Sequence, residues 1–497
     1  MKSNQSIYKF LVGLSIIAFG VSCDKKLDEL APHNVNFEEQ QFRTPGGFLK
    51  ATIGNYATIA GGTEFSAAYN LDYLWLNLSE FRGNNIKVID AASTNSLNNA
   101  KELDAFTFTN SSLKDYSYSH WYWRGAYRTL LGVNLVLKNV QEGETNVEIL
   151  NAKGENLFLR SVLFFDLVRL YGRPYYQSPE TNLGVPLILS PITDISSRPS
   201  RATVKETFDQ IIKDLEEAAK LMTKKQNNSY AYKYAAYALL SRVYLYMGGT
   251  FTSPNANYNQ KAIQYADSVI MNGGYSLLQG TAYSNYYTSS NQNNTETIWA
   301  MNHTVGSSIT SMTFQYPTLS GYTGSWARPS KEFIALLQPT DLRWNYYKKQ
   351  VYPGNTEDTL QVVKYGINYT AIYTNSPTNY LRLAEMYLNR AEAKVKTGDN
   401  GGALADLNVI RVRAGLLPAT GLTGQALFDE ILKQRRLELA FEGHNSFDYF
   451  RNGLPMVRNY TSFGSGAITV QPTDPKVVLR ISQDEINFNP NLKQNEQ

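Results

Sequence analysis

The chain has 497 residues, with 47 Lys and Arg against 43 Asp and Glu, a formal net charge of +4 that falls to +2 once Lys2 and Lys9 are set aside. Hydrophobic residues make up 43% and charged residues 18%, a globular composition on a chain long enough to bury a large core without covalent staples. The near-neutral balance excludes the clustered basic face that nucleic acid demands, and the single cysteine excludes a disulfide framework.

The N-terminus reads as a leader. Lys2 and Lys9 form a positive start, and "FLVGLSIIAFG" (10–20) is an apolar run too short to span a bilayer. Small residues Gly20 and Ser22 stand just before Cys23. The segment looks like a bacterial lipoprotein signal, in which cleavage leaves Cys23 as an acylated N-terminus; an ordinary secretory signal with an incidental cysteine is the alternative. Further on, no long apolar run follows, so the lipid would be the membrane attachment of the body. The segment "DKKLDELAPHNVNFEE" (24–39) is polar and proline-broken, as a tether would be.

Helical periodicity dominates after the tether. Helices are expected over 120–140 and over 157–172, the latter stopped by Gly172 and Pro174. Over 203–222, Thr203 and Glu206 make a capping box, and Val204, Phe208, Ile211, Leu215, Ala218 and Met222 form one apolar stripe. Further helices are expected over 232–249, over 257–274 with Asn257 and Gln260 as a second box, and over 379–399, 403–415 and 426–443. The pairs 232–274 and 380–415 share a pattern: an Ala- and Tyr-rich helix, a Gly/Asn turn, then a second Ala-centred stripe. This resembles tetratricopeptide units with an irregular period, which bury their faces by stacking. The fold class expected is mainly α: helix pairs packed with a loop-rich, irregular ligand-binding face. One stretch breaks the pattern. Residues 276–327 are rich in Ser, Thr, Asn, Gly and Tyr, with Glu296 as the only charge apart from His303. An excursion of that length inside a helical domain is usually functional, and its aromatics argue against disorder.

The whole pattern resembles the SusD/RagB family, surface lipoproteins that partner a SusC-like TonB-dependent transporter. The resemblance rests on Cys23 with "LDELAP", on "ENLFLRSVLFFDLVRLYGRPYY" followed by "LGVPLIL", and on "RPSKEFIALLQPTDLRW". It also rests on "NYLRLAEMYLNRAEAKVKTGD", "DLNVIRVRAG" and, most specific of all, "QRRLELAFEGHNSFDYFRNG". It implies a signal peptide over 1–22, a lipidated Cys23 and tether over 23–45, and two regions, 46–220 and 221–497, forming one compact unit. The function it implies is capture of an oligosaccharide or polysaccharide at the cell outer membrane for delivery to the transporter, without catalysis. Peptide capture stays open, since some members are linked to peptide uptake. Cys23 is followed by one Asp and then two Lys, a weak acidic signal for surface export.

Catalytic chemistry finds little footing. "RRLELAFEG" puts Glu438 and Glu442 one helical turn apart with Asp448 nearby, a carboxylate pair of the kind glycosidases use. Arg435, Arg436 and Arg451 stand ready to neutralise them, which would lower pKa values that a general acid needs raised. A lipid-anchored glycoside hydrolase, with Glu80 or Glu296 as its acid, is the runner-up; a cytoplasmic protein-binding scaffold is the third class, which the leader opposes. The four histidines, His33, His120, His303 and His444, have no zinc spacing, no acidic loop suits calcium, and "GLTGQA" (421–426) lacks the lysine of a phosphate cradle. No catalytic residue, metal or cofactor is therefore expected.

Recognition falls to aromatics, of which Tyr alone numbers 35. Sugar rings lay C–H patches on Tyr and Trp faces, and their hydroxyls seek planar polar groups. Three loop-like regions combine the two. The first offers Tyr73, Trp75, Glu80, Arg82 and Asn84; the family resemblance places ligand contacts around its second half. The resemblance also maps a stacking aromatic and a following Asn onto Phe108 and Asn110. The third region, the excursion, offers Tyr283, Tyr286, Tyr316, Tyr322 and Trp326. Core packing is the alternative for each, most of all for Trp75 and Trp299, which are flanked by apolar residues.

Overall fold

The capping box at Thr203 forms. The Thr203 hydroxyl accepts the Glu206 amide at 3.1 Å and the Glu206 carboxylate accepts the Thr203 amide at 2.8 Å. The helix it starts belongs to a computed structural model that describes residues 38–497 apart from 61–70, 89–100, 110–116, 193, 195, 288–292, 303–326, 350–359, 365–376, 463–464 and 497. The long helices are α1 (Pro45–Ala60), α2 (Leu71–Glu80), α3 (Tyr118–Asn139), α4 (Val147–Tyr171), α5 (Val204–Leu221), α6 (Lys233–Met247), α7 (Ala256–Asn272), α8 (Leu383–Lys396), α9 (Asn400–Arg413) and α10 (Gly424–Glu438).

From α3 to α10 each helix packs on the next in chain order. Small residues set the close approaches. Ser241 donates to the Ala262 carbonyl at 3.0 Å across α6 and α7, and a Cβ on Gly154 would lie 2.8 Å from the Met222 side chain. This is the stacking of tetratricopeptide-like pairs, and the fold is mainly helical as the periodicity implies.

Three boundaries differ from the sequence reading. Helix α4 starts ten residues earlier than its apolar pattern, where the Asn146 side chain accepts the amides of Glu148 and Ile149. Helix α7 is capped by Asn255, which accepts the Tyr258 amide at 3.1 Å, so the proposed box at Asn257 does not form. Residues Thr378–Arg382 are a strand, because they pair with the excursion before α8 begins.

Four two-stranded antiparallel ribbons complete the unit. The strands are β1 (Ile86–Val88), β2 (Thr297–Met301), β3 (Ala327–Pro329), β4 (Tyr347–Lys349), β5 (Leu360–Val362), β6 (Thr378–Arg382), β7 (Met456–Arg458) and β8 (Ile468–Val470), paired β1–β3, β2–β6, β4–β5 and β7–β8. The β2–β6 ribbon is buried along its length. Trp299 of β2 packs edge-on to Phe158 of α4 at 5.0 Å and to Tyr380 of β6 at 5.3 Å, and Tyr380 meets Trp75 of α2 at 5.4 Å. That line of rings binds the excursion to the helical stack.

Residues 49–497 form one compact unit and 1–48 another. In the short one, Phe42 packs on Phe48 at 5.0 Å and the Gln41 amide donates to the Gly47 carbonyl at 2.7 Å.

After α10 the chain turns sharply. Phe441 has φ 63° and Gly443 φ 81°, and a Cβ on Gly443 would lie 2.2 Å from the Trp75 ring. Gly443→Ala is expected to combine left-handed backbone strain with overpacking and to destabilise the protein by about 2–4 kcal/mol. Chemical denaturation checks this; a loss below half a kcal/mol would refute it.

Candidate functional site

The turn after α10 decides the fate of the two glutamates once read as a pair. Helix α10 stops at Glu438, so Glu442 lies beyond the helix and faces the ribbon. Arg382, the last residue of β6, donates to Glu438 at 2.8 Å, to Glu296 at 3.1 Å and to Glu442 at 2.7 Å. Arg413 of α9 donates to Glu296 at 2.7 Å and also to Glu438. Lys364 donates to Glu442 at 2.7 Å, and the hydroxyls of Tyr283 and Tyr287 donate to Glu438 and Glu442. Every one of these side chains is buried.

The expected neutralisers are therefore corrected. Arg435 donates to Asp448 at 2.8 Å, Arg451 to Glu392 at 2.6 Å, and Arg436 to the Asn85 side chain at 2.8 Å. Glu438, at the end of α10, and Glu442, beyond it, are met instead by Arg382, Arg413 and Lys364 from other elements. Burial alone would raise the Glu438 pKa, but Arg413, Arg382 and Arg343 overcome it and hold the carboxyl well below its usual range. Arg382 and Lys364 do the same, more weakly, to Glu442. Groups so held cannot donate a proton near neutral pH, the property a glycosidic general acid requires.

The described residues of the first two aromatic regions are interior too. Region 71–80 is helix α2, buried on all sides. The Tyr73 hydroxyl lies 3.2 Å from that of Tyr118, and Trp75 is packed between Tyr380 and Gly443. Glu80 accepts the Gly443 amide at 2.6 Å, and burial pushes its pKa up to about 7. Arg82 donates to the carbonyls of Lys476 and Val477 at 2.6 and 2.8 Å, and burial pulls its pKa down to about 9. Asn84 donates to Tyr449 at 3.1 Å and to the Val457 carbonyl at 3.0 Å. Phe108 lies beneath the Arg82 guanidinium, 4.7 Å from ring centre to cation.

Two residues of the excursion behave alike. Tyr283 binds Glu438, and Tyr286 meets the Thr297 hydroxyl at 2.7 Å. Rings and amides packed on every side offer no face to a sugar. Cys23, Asn110, Tyr316, Tyr322 and Trp326 lie outside the described residues.

An open cleft of roughly 250 Å³ lies elsewhere. One wall is α1, with Ile53, Tyr56 and Ala57; the other is the turn before α6, with Asn227, Ser229 and Tyr230. The end of β2 forms the floor with Trp299, Met301 and Asn302. Tyr56 and Tyr230 meet edge to face at 5.3 Å, and Trp299 stands 6.4 Å behind Tyr56. The Tyr56 hydroxyl accepts the Ala231 amide at 2.9 Å, and the Trp299 indole donates to the Ser229 carbonyl at 3.2 Å, so both rings are fixed. Asn227 and Asn302 are exposed at the rim, and among the described residues that line the cleft none is acidic or basic. Half-buried aromatic faces beside uncharged amides suit a neutral, hydroxyl-rich ligand. The string "QNNSYAY" carried this signal, Asn followed by Tyr in a turn, but it sat between two strong helices.

Comparison with known proteins agrees with this architecture. Residues 242–497 match the profile of the "SusD family", and residues 68–245 match a related profile described as "Starch-binding associating with outer membrane". A SusD-like protein of Formosa agariphila is 23% identical across 97% of both chains, and one of Bacteroides ovatus is 25% identical over 68% of this chain and 67% of its own. Among solved structures, a SusD superfamily protein of Bacteroides thetaiotaomicron superposes with a TM-score of 0.76 at 26% identity, covering 91% of this chain and all of its own. A protein of Bacteroides vulgatus described as a putative sugar binding protein superposes with a TM-score of 0.74 at 28% identity, covering 90% of this chain and 98% of its own.

The charge cluster yields a prediction of its own. Glu438→Gln leaves Arg382 and Arg413 short of a buried counter-charge, and a stability loss of about 3–5 kcal/mol at pH 7 is expected. The Glu438 pKa is depressed on folding, so its contribution is complete above the unfolded value of 4.5 and fades as pH falls below it. Denaturation from pH 7 to pH 3 should show variant and wild type converging on the acid side; a constant gap would contradict the assignment.

Proposed function

The chain belongs to the SusD family, and from that premise we propose that it is a non-enzymatic glycan-binding lipoprotein of the outer membrane, which captures oligosaccharide and delivers it to a SusC-like TonB-dependent transporter. The observation that carries the binding half is the cleft of Tyr56, Tyr230, Asn227 and Asn302: fixed aromatic faces beside neutral amides. Capture requires a pre-formed groove and no bond chemistry, so affinity should be modest and set by stacking plus hydrogen bonds. The excursion supports the same reading by position. Its chain leaves the described residues directly after Asn302, at the rim, and carries Tyr316, Tyr322 and Trp326 before returning at Ala327.

The membrane half rests on Cys23 and the leader before it. Among the described residues no helix is long and apolar enough to cross a membrane. Acyl chains on Cys23 would hold the body at the bilayer, two or more being needed for stable attachment.

Two experiments test the proposal. Titration calorimetry against a panel of neutral oligosaccharides should find a ligand, and Tyr230→Ala should weaken it by about 1–3 kcal/mol, the scale of stacking on aromatic side chains, with little change in melting. Trp326→Ala should likewise weaken glycan binding by about 1–3 kcal/mol with little change in melting. Binding to no carbohydrate, or release of reducing sugar from a bound one, would overturn the reading. In cells, Cys23→Ala should move the protein from the outer membrane to the soluble periplasm while it stays folded. Continued pelleting with membranes after deletion of the transporter would refute the lipid anchor.

A further inference from the structure

A second cleft, of roughly 230 Å³, opens between α10 and the short helix Asn445–Arg451. Leu336, Leu432, Lys433, Arg436, Asn445 and Tyr449 line it. Its hydrogen-bonding capacity is unbalanced. Arg436 is fixed by the Asn85 side chain at 2.8 Å and the Asn84 carbonyl at 3.2 Å, and among the described residues its second terminal nitrogen has no partner and no carboxylate lies within ion-pair distance. Asn445 is 5% exposed and accepts the Asn84 amide at 2.7 Å through Oδ1, which leaves its Nδ2 donor without a partner among the described residues. The Tyr449 hydroxyl accepts from Asn84 at 3.1 Å and gives its own proton to no described acceptor. Lys433 reaches Glu430 at 3.3 Å, a carboxylate that Arg411 already holds.

Two acids also line the cleft. Asp448 is saturated: it accepts from Arg435 at 2.8 Å and from Arg451 at 2.9 and 2.7 Å. Asp429, exposed at the mouth, accepts from Gln425 at 2.7 Å. What remains unengaged at the floor is therefore donors: a guanidinium N–H, an amide N–H and a phenol O–H. Donors held in place without acceptors select a group that is all acceptor, and a guanidinium in a half-buried setting favours one carrying negative charge. The Tyr449 ring and the two leucines supply apolar surface for a sugar's C–H face beside it.

We propose that this cleft is a second binding site, specific for a saccharide bearing a carboxylate or sulfate group, with Arg436 as its anchoring cation. The site does not depend on the neutral cleft of Tyr56 and Tyr230 and would stand if that one failed.

Titration calorimetry on the whole protein tests it, using tri-galacturonate, its methyl ester, a sulfated chondroitin tetrasaccharide, sodium sulfate and a tri-aspartate peptide. At least one acidic saccharide should bind, weaken as sodium chloride rises, and lose at least tenfold in affinity on Arg436→Met, while Tyr230→Ala leaves it unchanged. If tri-galacturonate is the ligand, its methyl ester should bind at least tenfold more weakly. No binding by either acidic saccharide, or ester and acid binding alike, overturns the proposal. So does sulfate or tri-aspartate binding as tightly as the saccharide, which would mark a plain anion or peptide site. Arg436 also braces Asn84 and Asn85, so melting is measured alongside. Should Arg436→Met melt early, Leu432→Trp fills the cleft without touching those contacts, and unchanged affinity in that variant refutes the site.

Discussion

The interior of this protein is organised around charges that have no access to water. Arg382, Arg413 and Lys364 are buried with Glu296, Glu438 and Glu442, and burying any one alone would cost several kcal/mol. The fold is stable only if all of them arrive together with the tyrosine hydroxyls that complete their hydrogen bonds. Those residues come from the edge of β2, the chain after β5, the end of β6, α9, the end of α10 and the turn beyond it. Apolar packing tolerates sliding and substitution, whereas a bidentate arginine fixes distance and angle at once. The cluster thus sets the position of the β2–β6 ribbon against the last three helices more tightly than the surrounding leucines could.

That fixed ribbon has a consequence at the surface. The same strand that ends beside the buried cluster, β2, provides Trp299, Met301 and Asn302 to the floor of the aromatic cleft. The cleft's rings are braced from behind by the line Trp299, Phe158 and Tyr380 rather than by neighbours within a loop. A binding surface with rigid backing loses little freedom when a ligand arrives, which matters when the only gains are stacking and a few hydrogen bonds. The acidic-group cleft follows the same plan, since the Arg-Gly-Asn-Asn turn after α2 holds its floor in place through Asn84 and Asn85.

Helix α5 could be read from the chain because it is half in and half out of the core. The stripe from Val204 to Met222 has a helical period for that reason, and its capping box is local chemistry. Helix α2 resisted the same reading: every residue of "LDYLWLNLSE" is buried, so no polar face exists to give a period, and the string passed for a loop. Residues 379–382 carry no strand signal of their own and become one only by pairing with β2. The site was harder still. An aromatic close to an Asn in sequence marks a ring and an amide, but not which way either points, and that signature covers buried Phe108 and half-buried Tyr230 alike. The partners of Glu438 and Glu442 lie 25 to 155 residues away, where no local spacing could find them.

Helices α7 and α8 pack directly on each other although more than a hundred residues separate them in the chain. The stack itself therefore closes the whole stretch from 273 to 382, the excursion included, into a loop. Lengthening such a loop carries only a logarithmic entropy cost, about 0.6 kcal/mol for each doubling. The ribbon, the line of rings behind it and the buried charges anchor that loop on the helices, and the length of chain between anchors is, by this term, cheap to change. A protein built this way can change what it recognises without re-solving how it folds.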